Sequence, residues 1–215
     1  MPTAGDTVVG IDVGGERKGF HAVAFFNGRF VDKVKNADPG IITTWCIIHK
    51  AKIVAVDAPC LWSLKGSSRL VERELNIAGE KIHCFATPTR EKAISNKAKF
   101  YDWVLNGEKL YKALESNKYP LFNYKRTKGN VCIETFPHAV VCAMAGQVIP
   151  AKPKLERRRD ALEHLGLDIT DLNNIDFLDA ALCAVAANEF LKGKYHAFGD
   201  RHEGFIVVPA ATPGF

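Results

Sequence analysis

Residues 176–191, DFLDAALCAVAANEFL, place the strictest demand on the fold: a nearly wholly apolar, alanine-rich helix must be buried against a sheet. The chain opens with the strands such a sheet needs. Residues 7–13 (TVVGIDV) form a β-branched run ending at Gly14-Gly15, which reads as a buried strand followed by a tight turn. Residues 19–26 and 29–35 make two more strands joined at Asn27-Gly28, a pair that accepts positive φ and so suits a two-residue hairpin. Asp38-Pro39 then offers an N-cap followed by proline in the first helical position. An apolar helix through Trp45 and Ile48 returns to a strand at 53–56, which stops at Asp57-Ala58-Pro59.

A long, polar, helix-rich stretch over about 63–129 reads as an insertion, with one amphipathic helix through Phe100, Trp103, Val104, Leu110 and Leu114. The core resumes at 131–136. Pro137 opens a short apolar helix that ends near Gly146, and a basic amphipathic helix covers about 154–165 until Gly166 stops it. After the buried helix, a short strand at 204–209 closes the pattern. This order predicts an α/β fold: a mixed sheet, three antiparallel strands and then parallel ones, with helices on both faces, in one domain over 1–215. With 47% hydrophobic residues the chain can fill such an interior. No run approaches the roughly 20 apolar residues of a membrane span and no signal-like segment opens the chain, so a cytoplasmic location is expected. The six cysteines are scattered through apolar runs without a CxxC pair, as small buried hydrophobes would be.

Within this frame the acidic residues stand out. Asp12 and Asp57 each end an apolar strand and Glu134 lies in a third such segment, VCIETFP, where ligands bind in open α/β sheets. Asp176 and Asp179, three apart at the start of the buried helix, share a face. Asp176 reads equally as an N-cap, Asp57 also as a turn residue and Glu134 also as a paired structural carboxylate. Asp12 has little structural excuse. Converging carboxylates repel unless cations neutralise them, and oxygen-only ligands point to Mg²⁺ or Mn²⁺. A pair of such ions about 4 Å apart can drive phosphodiester cleavage. The net charge of +5 is modest, but basic residues concentrate in 81–99, at Lys125, Arg126 and Lys128, and at Lys152, Lys154, Arg157, Arg158 and Arg159. A basic surface around an acidic pocket is expected, with Arg157 and Arg158 on its rim contacting phosphates.

The segments GIDVGG, VAVDAP, SSRLVEREL with FATPTR, IETFPHA, DFLDAAL and EGFIVVP resemble, in that order and over nearly the whole chain, the DUF429 family of predicted RNase H-like nucleases. Asp176-x-x-Asp179-Ala is similar to the last helix of RuvC-type junction resolvases. The resemblance implies an RNase H-like fold with metal ligands Asp12, Asp57 and Asp179, and with Asp176 and Glu134 contributing to catalysis. It also places the family's arginine stretch at Arg69 and Arg73, with Arg90 after Thr87-Pro88-Thr89, as phosphate clamps or as ordinary charged helix positions. His138 reads as a water-orienting or a structural residue. The expected activity is metal-dependent cleavage of a nucleic acid. Two rivals remain at this level: an ATP-binding enzyme of the actin and sugar-kinase type, suggested by Asp12-x-Gly14-Gly15, and a non-catalytic binding module. The first needs a second glycine-rich loop and a duplicated core, which the sequence lacks.

Overall fold

The computed structural model describes residues 5–124 and 129–210; the expected basic cluster at Lys125, Arg126 and Lys128 lies outside the described residues. Strands β1 (Thr7–Val13), β2 (Phe20–Phe26) and β3 (Arg29–Asn36) form an antiparallel meander. Asn27 and Gly28 both take positive φ, 50° and 76°, as the tight β2–β3 turn requires. Helix α1 (Pro39–Ile48) starts where Asp38 accepts a hydrogen bond from the Gly40 amide at 2.7 Å. It leads to β4 (Ala51–Asp57).

Four short elements follow, α2 (Leu70–Glu74), β5 (Asn76–Ile77), β6 (Glu80–Lys81) and α3 (Arg90–Ile94), and then the longer α4 (Asp102–Ser116). The main sheet resumes with β7 (Val131–Glu134), followed by α5 (Pro137–Ala145), α6 (Lys154–His164), α7 (Ile175–Leu191), β8 (Tyr195–Asp200) and β9 (Gly204–Pro209). The seven-stranded sheet runs β3-β2-β1-β4-β7-β9-β8. β1, β4, β7 and β9 are parallel and β8 closes the edge antiparallel to β9. This is RNase H-like topology. The edge strand β8 escapes sequence reading because most of its residues are half-exposed and carry no run of core side chains.

Helix α7 lies on one face of the sheet, packing Leu178, Ala181 and Leu182 with Val8, Val23, Ile53 and Ile133. Full burial of each such leucine stabilises by roughly 1.5–3 kcal/mol. Gly10 makes the seat: a Cβ there would strike the carbonyl of Ala180 and the amide of Ala184. The opposite face is covered by α1 and α4, whose Ile42, Cys46, Leu110 and Leu114 pack with Val9, Ile11, Val54 and Val56. A third cluster joins α2 and α5 to Ile206 and Val208 of β9. The six cysteines are free, with Cys46, Cys132, Cys142 and Cys183 buried. No helix among the described residues is long and apolar enough to cross a membrane.

Candidate metal centre

Side chains alternate between the two faces of a strand, so register decides which residues can meet. Asp12 and Asp57 are direct partners in the parallel β1–β4 pair. They follow Val8 and Gly10, and Ile53 and Ala55, on the face that α7 covers. Asp179 comes to the same place from α7. That helix is capped by Asn174, whose side chain accepts from the Phe177 amide at 2.9 Å, so Asp176 is not the cap. Asp12, Asp57 and Asp179 each present a carboxylate oxygen, and these oxygens lie within 4.8 Å of one another. Asp12 is 7% and Asp179 2% exposed.

Three carboxylates in so little water perturb one another. Burial, and then the charges of Asp179 and Asp176, push the Asp12 carboxyl up to about 7 against the opposing pull of Lys18. Burial, with Asp12 and Asp179 next, also raises Asp57 well above the ordinary carboxylate range. Asp179 has cationic partners on α6: Arg158 Nε donates to it at 2.8 Å and Lys154 Nζ lies 2.6 Å away. Lys18 Nζ donates to Asp176 at 2.7 Å and stands 3.7 Å from Asp12 Oδ2. The Asp57 side chain, unlike that of Asp179, has no hydrogen bond or ion pair among the described residues, its backbone being held in the β1–β4 ladder.

Among the described residues, several buried polar atoms left without hydrogen bonds lie at this centre: Asp12 Oδ2, His21 Nδ1 and Arg158 Nη1, with His138 Nδ1 nearby, while Thr87 Oγ1, beside Glu72, and Arg157 Nε are the others. His138 Nε2 faces Cys142 Sγ at 3.7 Å, and burial, then Arg158, lower its pKa. Native interiors seldom leave such atoms unpaired without water, an ion or a ligand to complete them. An unpaired carboxylate oxygen at the centre of an all-oxygen donor set fits a hard divalent cation such as Mg²⁺ or Mn²⁺.

Other expected site residues go elsewhere. Glu134 pairs in register with Val56, not Asp57, and so points through the opposite face of the sheet. There it accepts two hydrogen bonds from Arg69, from Nη1 at 2.8 Å and Nη2 at 2.5 Å, and one from the Cys60 amide at 2.7 Å. Arg69 also donates to Glu72 at 2.7 Å and is 1% exposed, so it brackets α2 to β7 and cannot reach a phosphate in solvent. Arg73 is exposed and donates to the Ser68 carbonyl, while Arg90 pairs with Glu108 of α4. The basic run on α6 divides. Arg158 is buried against Asp179 instead of standing on the rim, because Lys154 and Arg158, four apart, share the helix face that meets α7. Arg157 and Arg159 are half-buried.

Sequence reasoning missed His21, the cross-strand partner of Asp12 on β2. With Asp12 and Asp176 it forms a second group whose donor atoms lie within 4.8 Å. The available signal was a lone histidine inside the apolar run FHAVAFF, opposite Asp12 when the hairpin is counted back from its turn at 14–19.

A family model described as a protein of unknown function, DUF429, matches residues 10–203, a span that contains all these carboxylates. No curated protein matches the chain, and no solved structure does.

Proposed function

From the premise that the chain belongs to the DUF429 family, we propose that it is a divalent-metal-dependent nuclease that hydrolyses phosphodiester bonds at the Asp12, Asp57 and Asp179 centre. The observation that carries this reading is the convergence of three carboxylates within 4.8 Å, one buried oxygen of Asp12 having no hydrogen-bond partner. A bound Mg²⁺ or Mn²⁺ would supply Lewis acidity toward a phosphate oxygen and the attacking water. The protein's part is to hold the ligands ready. β1 and β4 fix Asp12 and Asp57 by register, and Arg158 and Lys154 fix the Asp179 carboxylate.

Two features beside the centre support a nucleic-acid substrate. Lys18 and Lys154 are half-exposed ammonium groups at its mouth, suited to drawing in a polyanion. A small cavity of about 60 Å³ reaches from Asp57 toward the Arg69–Glu134 bracket and is lined by Phe85, Trp103 and Phe136, and Phe85 also contacts the exposed Phe100. Aromatic faces next to a cleavage centre suit unpaired bases, which stack without regard to sequence. Single-stranded DNA or RNA is therefore the substrate this reading favours. Of the five arginines expected to meet phosphate, Arg73, Arg90 and Arg157 reach the surface, whereas Arg69 and Arg158 are committed inside the protein.

The test is cleavage of single-stranded, duplex and branched DNA and RNA with Mg²⁺ or Mn²⁺. Wild type should cut and Asp12→Asn should not. Equal cleavage by both proteins would displace the centre, and binding without cleavage by wild type would make the chain a binding module.

A further inference from the structure

Lys18 belongs to no motif and was not expected at the centre, yet the local backbone is shaped around it. The β1–β2 turn closes through Gly14 N to Gly19 O at 2.8 Å, Lys18 N to Gly15 O at 2.9 Å and Gly19 N to Gly15 O at 2.8 Å. The lysine stem then lies along Gly14. A Cβ at that position would come within 2.6–2.7 Å of Lys18 Cδ, Cβ and Cγ, so the glycine leaves the bed on which the stem rests. This path delivers the ammonium to a defined place, 2.7 Å from Asp176 Oδ1 and 3.7 Å from Asp12 Oδ2.

That place is part of the second donor group. Asp12, Asp176 and His21 bring two carboxylates and an imidazole within 4.8 Å of one another, and Asp12 is common to this group and the triad. His21 is 1% exposed, its Nδ1 has no hydrogen-bond partner, and its Nε2 is 3.8 Å from Asp176 Oδ2. The protein thus has two adjoining donor groups sharing one carboxylate, the arrangement that two-ion phosphodiesterases use. Its own ammonium lies at the second.

We propose that Lys18 is a built-in second cation: the protein binds one divalent ion, on Asp12, Asp57 and Asp179, and Lys18 holds the neighbouring position between Asp12 and Asp176. The proposal rests on the triad being a metal centre. A tethered ammonium is present at high effective concentration and competes with a free ion for the same two carboxylates. It gives one positive charge where an ion would give two. Being 47% exposed, it can also face an incoming phosphate oxygen. With the ammonium removed, the vacated position offers one nitrogen and two oxygens, a donor set that favours Mn²⁺ over Mg²⁺.

The experiment counts Mn²⁺ bound per chain by calorimetry, with free ion followed by electron paramagnetic resonance and no nucleic acid present. Wild type should bind one ion and Lys18→Met, which keeps most of the stem, should bind two. His21→Ala in the Lys18→Met background should return the count to one. Gly14→Ala retains the lysine but removes its bed, so it should raise the count toward two and decides the matter if Lys18→Met fails to fold. Two ions in wild type, or one in both Lys18→Met and Gly14→Ala, would overturn the proposal. No ion in any of these proteins would instead overturn the metal centre itself, and this proposal with it.

Discussion

Replacing Asp12 by asparagine should make the metal-free protein more stable, increasingly so as pH rises from about 4 to 7. A carboxyl lifted from 3.8 to about 7 holds its proton more tightly in the folded chain than in the unfolded one. The folded state therefore binds more protons between those values, and stability falls as pH rises through them. At about 1.4 kcal/mol per pH unit, the accumulated penalty above pH 7 is on the order of 4 kcal/mol. Asparagine has the same shape and no charge to bury, so it escapes that penalty. Urea melts of both proteins in chelator, from pH 4 to pH 8, read the effect, because their difference cancels the groups that do not interact with Asp12; relief of Asp57, which the Asp12 charge also raises, adds in the same direction. The two should converge near pH 4 and separate toward pH 8, with Asp12→Asn the more stable. Excess Mn²⁺ should favour wild type, by about 2.7 kcal/mol when free ion is roughly a hundred times its dissociation constant, and the mutant far less. A mutant less stable than wild type at pH 8 in chelator would refute the account of Asp12 as a buried, strained carboxylate.

Asp179→Asn should behave in the opposite way, losing about 3 to 5 kcal/mol in chelator at pH 7, because it strands the buried Arg158 guanidinium; an unchanged urea midpoint would deny the pair. Arg69→Met should cost a similar amount by leaving Glu134 and Glu72 unpaired. Its Mn²⁺ affinity, measured by calorimetry, should match wild type, since the bracket lies across the sheet from the triad. Mn²⁺ binding at pH 6 should release protons from Asp12 and Asp57, both shifted upward. Calorimetry in buffers of different ionisation enthalpy reads that release as a difference in heat, and equal heats would mean both groups were already ionised.

The three antiparallel strands followed by parallel ones, and all three triad positions, were legible because they depend on local signals. Asp12 and Asp57 end apolar runs at turns, and Asp179 lies one turn into a helix that can only be buried. Glu134 was not legible in the same way. β4 and β7 are covered on both faces, so their sequences are continuous apolar runs with no alternation to say which way a residue points. A single step of register sends Glu134 to the far side of the sheet. Arg158 misled for a related reason: in a basic run every residue reads as solvated, and only the packing of α6 on α7 singles out Lys154 and Arg158. Asp179 consequently carries two counter-charges where the sequence suggested bare repulsion.

The seat that Gly10 provides for α7 also sets when the three carboxylates meet. Contact between two backbones sets how far Asp179 stands from β1, so the three carboxylates are brought together when the core packs and not when an ion arrives. The cage is preorganised, and its walls are helix and sheet instead of loops. The carboxylate oxygens already lie within 4.8 Å of one another, so a cation bridging them would be received without lifting α7 from the strand. That readiness traces back to the one residue of β1 that has no side chain.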